Sequence, residues 1–121
     1  MMNDKTIYED SLDRKMLYNY FSVLVNRFFK ILPIREQENE SYTIYVKSLL
    51  SELLGCKGLV YALDNDPDFT TLLFILQYLA DNGDVEVSSV RREVFRSISI
   101  CNKLKSRYSD ADTKKAVVEN V

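Results

Sequence analysis

VSSVRREVFRSISICNKLKSRY, from Val87 to Tyr108, is the stretch whose reading decides the fold class. At about 100° per residue it carries Val87, Val90, Val94, Ile98, Cys101, Leu104 and Tyr108 on one side of a helix. Arg92, Arg96, Ser99, Lys103 and Arg107 gather in a narrow stripe on the other. The apolar line is what a helix needs in order to dock on a core. The basic stripe is either a solvated face or a contact surface for something acidic.

Upstream, Asp81-Asn82-Gly83-Asp84 supplies turn chemistry, with Ser88 or Ser89 as caps for the helix that follows. Before the turn, Asp66-Pro67 reads as a helix start, a carboxylate at the cap and proline at the first position. The helix over 67–80 carries Leu72, Leu73, Ile75, Leu76 and Leu79 around most of its circumference and leaves Thr70, Thr71, Phe74 and Gln77 for the rest. It is expected to be the most buried. From Cys56 to Asp66 the chain is a connection, but Leu59, Val60, Tyr61 and Leu63 are too apolar to float free, which predicts an irregular or single-turn piece.

Gly55 is the expected stop of a helix over 35–54, in a left-handed conformation. Its stripe is Tyr42, Val46, Leu49 and Leu53, flanked by Tyr45 and Leu50, and Glu36, Glu38 and Glu40 suit its N-terminal end. Leu32-Pro33 closes the helix before it, since a residue preceding proline is biased away from the helical region. That first helix covers 7–31 and opens on Thr6-Ile7-Tyr8-Glu9, which has capping-box spacing; residues 1–5 read as frayed. Leu17, Phe21, Leu24, Phe28 and Ile31 form its packing seam. Val25, Phe29 and Leu32 widen one flank, and Leu12, Met16, Tyr20 and Val23 the other. Only Lys15, Asn19, Ser22, Asn26 and Lys30 are left as a polar strip, so this helix asks for neighbours on two or three sides.

The strand evidence is Val85-Glu86-Val87 alone. Helices at 7–31, 35–54, 67–80 and 87–108 with short connections predict an all-α, antiparallel bundle of about four main helices. Residues 1–108 read as a single helical domain. Residues 109–121 hold few large apolar side chains and no stripe, which predicts a flexible C-terminal tail.

The 121 residues suit one domain that buries about 65% of its unfolded surface. With 46% hydrophobic and 28% charged residues the composition is that of an ordinary soluble protein. Three glycines and two prolines are too few for a turn-rich sandwich or barrel. A net charge of −2 and a pI near 5.2 argue against broad nucleic-acid binding, which usually needs a basic surplus. The longest uninterrupted apolar run, Leu72 to Leu76, is far short of the roughly 18 residues of a membrane span. The start, Met-Met-Asn-Asp-Lys, has no apolar core of a leader, so a cytoplasmic location is expected and the sequon Asn39-Glu40-Ser41 carries no meaning there. Cys56 and Cys101 lie on apolar stretches without a CxxC pairing and read as small buried thiols.

The chain contains no histidine, which excludes Ser-His-Asp and Cys-His nucleophilic sites and zinc sites built on imidazole. Gly55, Gly58 and Gly83 match neither phosphate-cradling pattern. Asp64-Asn65-Asp66-Pro67-Asp68 opens like a calcium loop, but Phe69 and Ile75 stand where glycine and a bidentate glutamate are required. Helix capping explains the cluster. Alternate positions at Glu36, Glu38 and Glu40 point in different directions and make no acid–base pair. No cofactor, metal, membrane or small-molecule substrate is therefore inferred.

Arg92, Arg96, Lys103 and Arg107 remain as the candidate partner-binding residues. The plainest reading is solvated charge, compensated by the acidic start of the second helix. An acidic protein partner is the next. The last is nucleic acid in a helix-turn-helix sense, with Ser88, Ser89, Arg91 and Arg92 at the reading end, although 81–87 is longer than the usual turn. Eight tyrosines and six phenylalanines exceed one small core, and Tyr8, Tyr18, Tyr20, Phe29 and Phe74 are the candidates for uncovered surface. The expectation is a non-enzymatic protein–protein interaction or regulatory module that self-associates as a homo-oligomer, a dimer in the simplest case. The alternative is a nucleic-acid-binding regulator using the basic face.

Overall fold

Apolar periodicity sets the helices, and the computed structural model holds them in the order α1 (Met2–Phe29), α2 (Ile31–Glu36), α3 (Ser41–Leu59), α4 (Tyr61–Asp64), α5 (Pro67–Asp81) and α6 (Val87–Asn120). The structure describes residues 2–37, 41–59 and 61–120, with side chains described over 14–37, 41–58 and 63–108. The four long helices close a ring in the order α1, α3, α5, α6, each antiparallel to its neighbours. Between α1 and α6, Phe21 stacks on Tyr108 with centroids 5.9 Å apart, and Phe29 meets Phe95 edge-on at 5.9 Å. Tyr20 reaches Glu52, and Tyr45 donates to the Arg27 carbonyl at 2.8 Å, which fixes the opposed run of α1 and α3. α3 packs chiefly on α5. Arg107 meets Asp66 and Asp68 at the start of α5, and Arg96 lies near Tyr78 towards its end.

The seam expected on the first helix is the core. Leu17, Phe21, Leu24, Phe28 and Ile31 are all buried, as are Val90, Val94, Ile98, Cys101 and Leu104 from α6. Phe21 also meets Phe69 of α5 edge-on at 6.3 Å. Seven of the fifteen residues of α5 are buried. Asp66 caps α5 as its sequence requires: its side chain accepts from the Asp68 N–H at 2.9 Å and the Phe69 N–H at 3.1 Å, with Pro67 at the first helical position. The apolar connection forms the single-turn α4, with Leu63 buried.

Helix ends differ from the sequence reading in several places. Pro33 does not lie beyond the first helix; it sits in the first turn of α2, and α1 ends at Phe29. Proline has no N–H to donate to the Phe29 carbonyl, so the break falls four residues upstream of it. In the first turn of α2 that N–H has no intrahelical acceptor to lose. The second long helix starts at Ser41, not near Arg35; Glu36 ends α2, while Glu38 and Glu40 lie outside the described residues.

Gly55 does not stop α3, which continues to Leu59. A helical glycine costs only about 1 kcal/mol relative to alanine, and the half-buried Cys56 and the Lys57–Asp64 contact at 3.2 Å hold the extra turn. α6 starts at Val87, so Ser88 and Ser89 lie inside its first turn, and the Glu86 carbonyl accepts from Ser89 and Val90 at 3.0 Å. The outer ends of α1 and α6 extend to Met2 and Asn120, past the expected limits at Ile7 and Tyr108. Neither extension contains glycine or proline, and backbone helix does not need an apolar stripe to continue. How 109–121 attach as a tail depends on side chains outside the described residues, as does the exposure of Tyr8.

Candidate functional site

The outer surface of α6 places a basic row between two aromatic pairs. Arg92 and Arg96 stand one turn apart on α6, with side chains 73% and 58% exposed. Both contact Glu93, at 3.6 and 3.3 Å, a residue that is itself mostly covered. Across the seam, Phe74 and Tyr78 stand one turn apart on α5 and remain 70% and 43% exposed. Between the two rows runs an open groove of about 350 Å³, lined by Thr71, Phe74, Ile75, Tyr78, Glu93 and Arg96. On the opposite side of the arginines, Phe95 is exposed and leans edge-on against the exposed Phe29.

The four predicted site residues therefore divide. Arg96 lines the groove, and Arg92 stands one turn away, against Glu93. Lys103 lies 3.5 Å from Asp68, and Arg107 contacts Asp66 at 2.5 Å as well as the Asp68 carboxylate. The Asp66 side chain is only 7% exposed, so Arg107 joins α6 to the capped start of α5. Its guanidinium holds the Asp68 carboxyl below its ordinary range, helped by Lys103. Burial opposes the charge on Arg107, and its bonds to Asp68 and Asp66 outweigh that and raise its value. Compensation of the stripe comes from Glu93, Asp66 and Asp68. Among the described residues, the expected acidic start of the second helix contributes the Arg91–Glu36 approach at 3.8 Å.

Phe29 and Phe74, expected from the sequence to be incompletely covered, are exposed. Tyr78 and Phe95, not among the expected residues, are exposed too. The signal was present: Tyr78 lies one turn beyond Phe74, and Phe95 falls off the apolar line of α6, between Arg92 and Arg96 in the chain.

A second groove, of about 340 Å³, lies between α1 and α3 and is lined by Arg27, Lys30, Tyr45, Ser48, Leu49 and Glu52. Arg27 pairs with Glu52, which also accepts from the Tyr20 hydroxyl at 2.6 Å. Burial works against the Glu52 charge, but these two bonds prevail and hold its carboxyl low. Burial, with the Cys56 and Glu52 side chains, pushes the Tyr20 hydroxyl up. The Tyr20 hydroxyl thus keeps its proton and donates it to an ionised Glu52, which ties α1 to α3. Beside this groove the α1 flank stays uncovered, Met16 at 66% and Val23 at 47% exposure.

Both cysteines are free thiols. Cys101 is buried as expected, and burial pushes its thiol up to about 12. Cys56 is only half-buried, because it lies on the edge of α3 that faces Tyr20 and not on the Val46–Leu53 line. Among the described residues no group of three or more Cys, Asp or Glu is placed to hold a metal ion, and no helix is long and apolar enough to cross a membrane. Compared with protein-family models, with curated proteins and with solved structures, the chain matches none.

Proposed function

We propose that this protein is a non-enzymatic interaction module that works through its helix faces and self-associates. The observation that carries this reading is the α1 flank at Met16 and Val23, which α3 leaves uncovered. The groove beside that flank has both signs of charge, Arg27 and Lys30 against Glu52. A second copy related by a two-fold axis presents the same patch reversed, so apolar surface meets apolar surface and each sign meets its opposite. Sedimentation equilibrium tests it. A dimer at high micromolar concentration is expected, and Met16→Glu with Val23→Glu should return it to monomer while circular dichroism shows the helical fold intact. A wild-type chain that is strictly monomeric at that concentration removes the self-association.

A second reading, nucleic-acid binding, has the exposed Arg91, Arg92 and Arg96 in its favour. Against it, α5 and α6 run side by side and antiparallel, whereas a helix-turn-helix crosses at about 90–120°. Its discriminator is retention of duplex or single-stranded pools at low salt, falling steeply as salt rises.

A further inference from the structure

We propose that the α5–α6 groove docks an acidic amphipathic helix of another protein. This rests on the interaction-module reading and adds to it a second surface with a different occupant. Phe74 and Tyr78, separated by about 6 Å of helical rise, form one ridge of the groove, and Glu93 and Arg96 line the other, with the exposed Arg92 one turn from Arg96 on the outer side of Glu93. Two ridges at that spacing accept the side-chain rows of a third helix lying along them. Such a helix is read through apolar anchors at i, i+3, i+4 and i+7. Here the anchors would lie over Phe74, Tyr78 and Ile75, in the groove of about 350 Å³.

Charge chooses the partner. Glu93 is the one acid lining the groove, and Arg96 and Arg92 both approach it, at 3.3 and 3.6 Å. Both side chains remain largely exposed, and a guanidinium donates to a second carboxylate from its free edge. Lys103 continues the same sign along α6 and is 67% exposed. A helix with Asp or Glu one turn apart along one edge matches this row, and a basic helix is repelled by it. A second copy of the chain is disfavoured here, because a two-fold contact would set arginines against arginines. Aromatic side chains next to arginine are also the residue types in which interface energy concentrates.

The test uses two helical peptides with leucine at i, i+3, i+4 and i+7, one carrying glutamate along the flank and the other lysine, each labelled for anisotropy against the full chain. The glutamate peptide should bind and the lysine peptide should not. Phe74→Ala should weaken binding about tenfold or more. Arg92→Gln with Arg96→Gln should weaken it and flatten its salt dependence. Ile44→Ala, at an exposed apolar position away from the groove, should leave it unchanged. All these side chains are exposed, so circular dichroism should show the fold intact in each variant. Equal binding of the two peptides, no binding of either, indifference to Phe74→Ala, or tighter capture of a single-stranded oligonucleotide overturns the proposal. A chain that dimerises but ignores the glutamate peptide keeps the module reading and loses this one; a chain that does neither loses both.

Discussion

Cys101 and Cys56 give the sharpest residue-scale test, because the two thiols differ in cover and not in chemistry. A thiol pushed from 9.0 to about 12 by burial offers almost no thiolate at neutral pH. A thiol-reactive chromophore should therefore label the half-buried Cys56 first and Cys101 only on unfolding, with Cys56→Ser assigning the fast phase. Fast labelling of Cys101 in the native state would mean that the apolar line of α6 is exposed. The same shift sets an alkaline limit: its stabilising effect is fully present below about pH 9 and is lost as pH rises towards 12. At the acid end, Asp68 is held low by Arg107, so its contribution is present above the ordinary carboxylate range and lost as pH falls through its lowered value. Asp68→Asn should flatten that acid limb in a pH series of denaturant melts. The Asp66 cap was readable because its partners are two and three residues away. The Arg107–Asp66 bond was not readable, because the two residues lie 41 apart in the chain and no local pattern reports so distant a contact.

At the scale of single helices, periodicity located the packing faces and failed at the ends. The faces follow from the repeat of 3.6 residues, which every turn restates; an end depends on one or two residues that tertiary contacts can override. Gly55 is the clearest case. A glycine after an apolar run reads as a left-handed stop, yet here it is helical and a β-carbon on it would meet nothing within 4 Å. Gly55→Ala should therefore stabilise the protein by about 0.4–1 kcal/mol in denaturant melts. A left-handed stop at that position would turn the change destabilising. Arg107 belongs to the same scale, since it ties α6 to the first turn of α5. Arg107→Gln leaves Asp66 covered without its cation, and given the 40% exposure of the arginine side chain the cost should be about 1–2 kcal/mol. An effect no larger than that of Arg92→Gln would place Arg107 back among the solvated residues.

The molecule as a whole is a ring of four antiparallel helices whose inside was legible in the sequence and whose outside was legible only in part. The core was legible because each seam repeats its own period, as Leu17 to Ile31 and Val90 to Leu104 do. The α5–α6 groove was not, because it joins Phe74 and Tyr78 to Arg92 and Arg96 across two helices whose relative rotation no single stretch encodes. What the ring implies is a division of α6 into a buried face that makes the fold and an exposed row at Arg92 and Arg96 that the fold does not need. Thermal and denaturant melts of Ile98→Ala and of the double variant Arg92→Gln, Arg96→Gln, measured side by side, test that division most directly. Ile98 is 7% exposed, and its truncation should cost about 2–5 kcal/mol. The double arginine variant removes two largely exposed side chains that approach Glu93 at 3.6 and 3.3 Å, and it should stay within about 1 kcal/mol of the wild type. A double variant more damaging than Ile98→Ala would contradict the account, because the basic row would then lie inside the fold.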